Sequence, residues 1–163
     1  MRKLTIDDFE YLSELFKDSD VMEAFEHTFN DNEIKDWYEK QIQRYETNGF
    51  GLWAMINKDS GSFLGVSGLL IQNYDEKEYL EIAYFVLKKY WHQGYAIEGA
   101  QGCEKYAFEV LKKDKCYCLI KHDNISSLKV AMKLGMHKIG EIIKHYNGKD
   151  MLHYIYEKKI TKV

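Results

Sequence analysis

The sequence predicts a fold of the α/β (α+β) class, in which helices flank a mixed β-sheet. The order of periodic segments is the first reason: two helices are followed by three strands, a helix, a strand, a helix and two strands. The second is a strand that leads through a short turn containing Gly94 straight into a helix. No linker, repeat or low-complexity tract interrupts the 163 residues, so a single domain over residues 1–163 is expected.

Two amphipathic helices are predicted in the first third of the chain. Apolar residues three and four apart indicate a first helix that Asp7 or Asp8 would cap and that ends near residue 17. A second helix is predicted over residues 32–47. Residues 20–30 between them are predicted to be irregular or weakly helical, and they are rich in aromatic and acidic side chains. In a transferase such a segment would overhang the substrate site.

Six strands and two further helices follow in the remaining two thirds. The final pair of strands is separated by Asn147-Gly148, the dipeptide most typical of a two-residue hairpin turn. The predicted strands cover residues 52–57, 62–72, 79–87, 115–121, 137–145 and 150–157, and the further helices cover residues 94–113 and 124–134.

Composition excludes several classes of function. Hydrophobic residues make up 45% of the chain and charged residues 30%, which is ordinary for a globular protein, and the net charge of −3 does not indicate a nucleic-acid binder. No signal peptide or membrane-spanning run is visible. The three cysteines lack metal-ligand spacing. We therefore expect a cytoplasmic protein without a metal and without nucleic-acid or membrane partners, as a monomer or a homodimer.

The turn after the predicted strand 79–87 is a candidate phosphate site. The first N–H groups of a helix have no partner inside the helix and lie at the positive end of its dipole, so they attract anions. Gly94 would let the backbone approach an anion closely. Many turns of this kind bind nothing, and an ordinary strand–helix connection is the alternative. The residues of the turn are Trp91, His92, Gln93, Gly94, Tyr95 and Ala96.

A second element lies about thirty residues downstream. Asn124 is a suitable helix N-cap, Ser127 lies in the first turn of that helix, and Gly135 is placed to end it. Together the two elements resemble the GNAT superfamily of acetyl-CoA-dependent N-acetyltransferases. More narrowly, they resemble the branch of bacterial enzymes that acetylate the N-terminal alanine or serine of ribosomal proteins. The resemblance extends over essentially the whole chain, through residues 4–9, 48–54, 63–69 and 146–150.

The resemblance implies a mixed, mostly antiparallel sheet flanked by helices and splayed between the fourth and fifth strands. It places the cofactor pyrophosphate on the backbone amides of the turn from Trp91 to Ala96. The family usually has glycine where this chain has His92, and a strand bulge at a glycine where it has Ala83. The amides of Phe85, Val86 and Leu87 would pair with the pantetheine arm and polarise the thioester carbonyl.

Three side chains complete the implied site. Asn124 would contact pantetheine, and Ser127 would lie near the sulfur, to protonate the leaving thiolate or only to hydrogen-bond it. The alternative for both residues is helix capping, and the two roles can hold together. Glu81 interrupts an apolar strand, and it matches the glutamate before Ile-Gly-Tyr in the branch. A buried carboxylate there would take a proton from the acceptor ammonium. The alternative for Glu81 is a structural hydrogen bond or salt bridge.

The predicted function is therefore transfer of an acetyl group from acetyl-CoA, the cosubstrate, to a primary amine by direct attack in a ternary complex. The resemblance favours a protein N-terminus as acceptor, and a polyamine, an amino acid or an aminoglycoside stay open. From other classes, a non-catalytic acyl-CoA sensor or an interaction module on the same scaffold is the alternative. Binding of the cofactor without turnover would distinguish the sensor.

Overall fold

A computed structural model describes residues 1–160, and its elements follow the predicted order. Short 3₁₀ turns lie before the first helix, between the first two helices and after the third strand. The helices are α1 (Phe9–Lys17), α2 (Asp31–Thr47), α3 (Tyr95–Lys105) and α4 (Ile125–Lys133), and the strands are β1 (Leu52–Ile56), β2 (Phe63–Tyr74), β3 (Lys77–Val86), β4 (Lys115–Lys121), β5 (His137–Tyr146) and β6 (Lys149–Lys159).

One six-stranded sheet in the order β1-β2-β3-β4-β6-β5 forms the centre of the domain. All neighbouring strands are antiparallel except β3 and β4, which are parallel and pair only at Glu81 and Tyr117. Beyond that pair the two strands separate into a V-shaped gap. Counting the isolated bridge between Arg2 and Ala54 as a first strand makes these the fourth and fifth strands. The predicted class and the open, mostly antiparallel sheet are confirmed.

The gap opens without the strand bulge that the resemblance implied at Ala83. β2 and β3 keep a one-to-one register from Gly65 opposite Val86 to Tyr74 opposite Lys77, with no shift at Ala83. On the other side of the gap, β4 pairs along its whole length with β6. The sheet therefore splits because each arm of the V is fully paired with its outer neighbour, so that only one bridge joins the arms.

Helices cover both faces of the sheet and divide the core into two main layers. Side chains of α1 and α2, such as Phe16 and Ile34, pack with the β3 residues Ala83 and Phe85 on one face. On the other face, Ala100 and Cys103 of α3 and Ala131 of α4 pack with Ile82 and Cys118. Because side chains alternate along a strand, Glu81 shares the α1–α2 face with Ala83 and Phe85.

Local details depart from prediction at two helix ends. The segment predicted as one helix over residues 94–113 ends its α-helical part at Lys105 and continues as a π-helical turn, Tyr106–Val110. Before α1, Asp8 turns back to accept a hydrogen bond from the Thr5 amide at 2.9 Å instead of simply capping the helix. The predicted Asn147-Gly148 turn is confirmed, since both residues have positive φ. Within residues 1–160, no helix is long and apolar enough to cross a membrane.

Candidate active site

The turn between β3 and α3 exposes the amino end of a helix to open space. Gly94, just before α3, has φ of 87°, and a Cβ atom built on it would have no atom within 4 Å. The amide of Glu98 bonds to the Gly94 carbonyl at 3.1 Å, which leaves the preceding amides at this helix end without intrahelical partners. An anion such as a pyrophosphate therefore fits here without displacing a side chain from the space above Gly94.

Trp91 fastens this turn to the end of β3. Its indole Nε1 donates to the Val86 carbonyl at 2.8 Å, and its backbone amide donates to the Lys88 carbonyl at 3.1 Å. The amide of Trp91 is therefore already satisfied, and this residue supports the turn by packing. Beneath the turn, Met55 and Leu64 join Val86 in a small apolar cluster that also contacts Tyr95 and Ala96.

His92 has a backbone conformation that favours glycine, which explains the glycine that the family usually has at this position. Its φ is 61°, in the left-handed region, where histidine is tolerated more often than most side chains. The side chain is exposed. Its neighbour Gln93 donates from Nε2 to the Lys89 carbonyl at 3.2 Å and so helps to close the turn.

A close approach of α3 to the sheet sets the direction of the helix. A Cβ atom on Gly99 would lie 2.6 Å from Sδ of Met55 and 3.1 Å from Oγ of Ser67. Only glycine allows this separation without movement of its neighbours. The first turn of α3 is therefore held against β1 and β2, with its amino end beside the V.

Backbone direction decides which groups of β3 face the gap. The amide of Leu87 donates to the Leu64 carbonyl of the neighbouring segment at 2.9 Å, so it is not free. Backbone groups alternate along an antiparallel strand, and the N–H and C=O groups of Phe85 therefore also point toward β2. The N–H and C=O groups of Val86 and Tyr84 point the other way, into the V. Of the three predicted amides, only that of Val86 faces the gap, and the sequence analysis did not include Tyr84.

Across the gap, the start of α4 carries the Asn124 and Ser127 pair. The Asn124 side-chain oxygen accepts a hydrogen bond from the Ser127 amide at 3.2 Å, so Asn124 is an N-cap. The Tyr84 hydroxyl, whose pKa burial raises, donates to the Ser127 carbonyl at 3.4 Å and links β3 to α4. The Ser127 hydroxyl lies beside the Tyr84 hydroxyl, and a side-chain hydrogen bond between them partly offsets the effect of burial on the Tyr84 pKa.

Glu81 lies at the closed end of the V, where β3 and β4 last pair. Its side chain is nearly buried, with 7% of the residue exposed. One carboxylate oxygen accepts a hydrogen bond from Nε2 of Gln72 at 2.9 Å. The predicted carboxylate is thus inside the sheet on the α1–α2 face, and a neutral donor holds it in place.

Residues 18–30, which we name the strap, cross the open end of the V on that face. Phe25 packs against Phe85 on one arm, with ring centroids 5.5 Å apart, and against Tyr146 near the other arm, at 5.8 Å. Glu26 accepts hydrogen bonds from Nζ of Lys121 at 2.8 Å and of Lys149 at 2.5 Å. The strap is irregular around one 3₁₀ turn, as predicted for residues 20–30, and its contacts join both halves of the sheet.

A family model described as an acetyltransferase (GNAT) domain matches residues 1–137 of this chain. The chain belongs to the GNAT acetyltransferase family. The protein YkkB of Bacillus subtilis (strain 168) is 32% identical to this GNAT protein over 123 residues, which cover 76% of the chain and 72% of YkkB. The family fixes the enzyme class as an acyltransferase.

Solved structures show the same fold. A GNAT-family acetyltransferase from Bacillus anthracis is 25% identical with a TM-score of 0.81, over 97% of this chain and 92% of that one. A ribosomal-protein-alanine N-acetyltransferase from Brucella melitensis is 16% identical with a TM-score of 0.74, over 98% of each chain. A spermidine N-acetyltransferase from Vibrio cholerae in complex with CoA and spermine is 19% identical with a TM-score of 0.75, over 95% of this chain and 92% of that one. The last two establish the fold alone.

Some polar groups of this GNAT protein could not be predicted from sequence because their burial depends on strands that pair over a long sequence distance. His153 on β6 is the clearest case. It is nearly buried, and burial lowers its pKa to about 4, so the ring is neutral at pH 7. Since a carbonyl can only accept, Nδ1 donates to the Met151 carbonyl at 3.0 Å. His153 lies opposite Lys121 in the β4–β6 register. Within residues 1–160, no group of three or more His, Cys, Asp or Glu side chains is placed to hold a metal ion.

Loss of the Glu26 carboxylate is expected to loosen the strap. Hydrogen bonds from Lys121 and Lys149 lower the pKa of Glu26 to about 2, so the carboxylate is ionised throughout the neutral range and both contacts persist there. Glu26→Gln removes the charge and should raise amide hydrogen exchange in residues 18–30 several-fold. Glu23→Gln, which changes an exposed carboxylate of the same segment, is the control and should leave exchange unchanged. Equal exchange in both variants would show that the ion pairs do not hold the strap.

Proposed function

We propose that this chain is a cytoplasmic N-acetyltransferase that moves an acetyl group from acetyl-CoA to a primary amine by direct attack within a ternary complex. The observation that carries the proposal is the unobstructed amino end of α3 at Gly94, beside the gap between β3 and β4. The family match supports the reaction class independently. Acetyl-CoA supplies the acetyl group activated as a thioester.

The residues present fit this cosubstrate. The free amides at the start of α3 would hold the pyrophosphate, and the exposed side chain of His92 would add a donor at its edge. The backbone groups of Tyr84 and the amide of Val86, which face the V, would pair with the pantetheine arm, as an added strand does at a sheet edge; the Val86 carbonyl is already bonded to Trp91. The amide of Val86 is then our candidate for polarising the thioester carbonyl.

Two side chains would accept and donate the protons that move during the reaction. Glu81, oriented by the hydrogen bond from Gln72, would take the proton that an ammonium must lose before its nitrogen can attack. Ser127 would donate its hydroxyl proton toward the CoA sulfur, as a hydrogen bond or as a transferred proton, while Asn124 holds the start of α4 in place. Positioning of the two substrates would supply most of the acceleration, because no covalent enzyme intermediate is needed.

The acceptor amine is a separate question from the reaction class. Structures of similar fold include both a ribosomal-protein and a spermidine acetyltransferase, so the likeness supports no single acceptor. A protein N-terminus, expected from the resemblance, stays a prediction.

A steady-state assay tests the proposed reaction. We expect thiol release from acetyl-CoA to depend on an added amine across a panel of peptides with N-terminal alanine or serine, polyamines, amino acids and an aminoglycoside. Release that rises with one class of amine, together with the acetylated product by mass spectrometry, supports the proposal. Tight binding of acetyl-CoA with no turnover of any amine would instead favour an acyl-CoA sensor.

A further inference from the structure

Arg44 lies on the face of α2 that packs over β3. Trp37, two helical turns earlier on the same side of α2, contacts Phe16 at a centroid distance of 4.6 Å, and Phe16 contacts Phe85 of β3 at 5.3 Å. Arg44 follows Trp37 by seven residues, which is about 10 Å along a helix. Glu81 precedes Phe85 by four residues, which is about 13 Å along a strand. Gln41, between Trp37 and Arg44, accepts a hydrogen bond from the Leu52 amide, and Leu52 is level with Ala83 across the sheet through Gly68. The helix α2 therefore runs antiparallel to β3, and both displacements lead in the same direction from the shared Phe16 contact.

The Glu81 carboxylate interacts electrostatically with the Arg44 guanidinium. Burial lowers the pKa of Arg44, and the Glu81 carboxylate raises it, so the two groups interact across the space between α2 and β3. Arg44 and Glu81 are not in direct contact as an ion pair. The side-chain hydrogen bond to the Glu81 carboxylate comes from Gln72. The guanidinium itself makes no hydrogen bond or ion pair with any residue from 1 to 160.

A half-buried arginine without a partner is unusual in this molecule. Other cations near the V are paired: Lys121 with Glu26, Lys88 with Asp20 and Lys89 with Glu14. A guanidinium presents five N–H donors in a planar fork, which matches a carboxylate in two parallel hydrogen bonds. Partial burial strengthens such a contact because the surrounding dielectric is lower than that of water. Arg44 thus offers an unused carboxylate-binding group close to the predicted base.

We propose that the acceptor is a free α-amino acid, with its ammonium group directed to Glu81 and its carboxylate bound by Arg44. This inference rests on the proposed acetyl transfer and names the substrate class for that site. An α-amino acid is a zwitterion whose two charges are close together, as are the two unpaired charges of the protein. Its recognition leaves neither Glu81 nor Arg44 with an uncompensated charge.

The transfer balances with these groups alone. The amino nitrogen forms a bond to the acetyl carbon, the carbon–sulfur bond breaks, and its electron pair leaves with the CoA sulfur. One proton of the ammonium passes to Glu81 before the attack. The thiolate takes a proton from Ser127 or from water, and the second proton that the nitrogen loses on forming the amide restores that donor. The product is an N-acetyl amino acid whose carboxylate stays with Arg44 until release.

The same pair of charges disfavours the competing acceptors. A polyamine would bring a second ammonium group toward Arg44, and like charges at close range are costly. A peptide N-terminus has an amide where the amino acid has a carboxylate, so it would bind Arg44 through a neutral carbonyl, with a weaker hydrogen bond.

The test compares each of the twenty amino acids with its methyl ester, and with spermidine and a tetrapeptide that begins with alanine. The ester keeps the amine and removes the negative charge. Because its amine is the weaker base, more of it is unprotonated, so the ester should react faster unless the enzyme binds the carboxylate. We expect at least one amino acid to exceed its ester at least tenfold in kcat/KM. Arg44→Met should abolish that ratio through a higher amino-acid KM, while the Kd for acetyl-CoA stays within twofold. Lys40→Met, which removes an exposed cation one turn away, should preserve the ratio.

The outcomes separate this inference from the proposed function. Turnover of spermidine or the tetrapeptide but of no amino acid, or a ratio unchanged in Arg44→Met, overturns the amino-acid assignment and leaves the acetyltransferase intact. Absence of acetyl-CoA binding in the wild-type protein would overturn both. Should Arg44→Met fail to fold, Arg44→Lys serves instead, because it retains the charge but loses the fork and should reduce the ratio partially.

Discussion

Replacement of Gly94 by aspartate is expected to weaken acetyl-CoA binding about 30-fold or more. Aspartate is among the side chains that tolerate the left-handed backbone of this position, and it is a favourable residue before a helix. Its carboxylate would nevertheless stand in the open space above the α3 amides, where we place the pyrophosphate. Repulsion between like charges at such range amounts to about 2 kcal/mol or more, which is about 30-fold in Kd. Calorimetric titration measures the effect.

Gly94→Asn is the matched control for that experiment. Asparagine has nearly the same shape and the same tolerance of positive φ, but it carries no charge. It should keep most of the affinity, and both variants should unfold at similar denaturant concentrations. Equal loss of binding in the two variants would show that bulk, not charge, decides the result. Unchanged binding in Gly94→Asp would show that the pyrophosphate does not bind at this turn.

Replacement of Glu81 by glutamine is expected to lower kcat by about 10²–10⁴-fold, the usual contribution of a general base. Glutamine has the same shape and retains an oxygen that can accept the hydrogen bond from Gln72, so the fold and the acetyl-CoA Kd should change little. The pH dependence of kcat/KM should also change, because the remaining rate would depend on the free amine already present in solution. Steady-state kinetics over a pH series checks both effects.

Glu78→Gln on the same strand supplies the control, since this carboxylate is exposed. Its kinetics should match the wild type within a factor of two. A Glu81→Gln enzyme with full activity and an unchanged pH profile would reduce Glu81 to a structural residue held by Gln72.

Local chemistry made much of this fold predictable from sequence. A turn that needs positive φ requires glycine or a tolerant residue, so Gly94 and the Asn147-Gly148 pair mark their turns without tertiary information. The Asn124 cap is likewise encoded within three residues. Each of these features depends on contacts between neighbours in the chain, which a single sequence displays directly.

The rest depends on register and on contacts between distant segments. Which amides of β3 face the gap follows from the hydrogen bond between Leu87 and Leu64, and a shift of one residue would have reversed the answer. Glu26 of the strap accepts a hydrogen bond from Lys121, which follows it by 95 residues in the sequence. Arg44 likewise belongs to a different element from Glu81, and no spacing rule connects a helix to a strand that it crosses.

Titration of the wild-type protein with acetyl-CoA, with CoA as the comparison, tests whether the cosubstrate binds in the V. We expect one binding site per chain with micromolar affinity for both ligands, because the pyrophosphate and pantetheine that the site recognises are common to them. Absence of heat with either ligand, confirmed by an unchanged melting temperature at millimolar ligand, would contradict the placement of the cosubstrate in the V and the mechanism built on it.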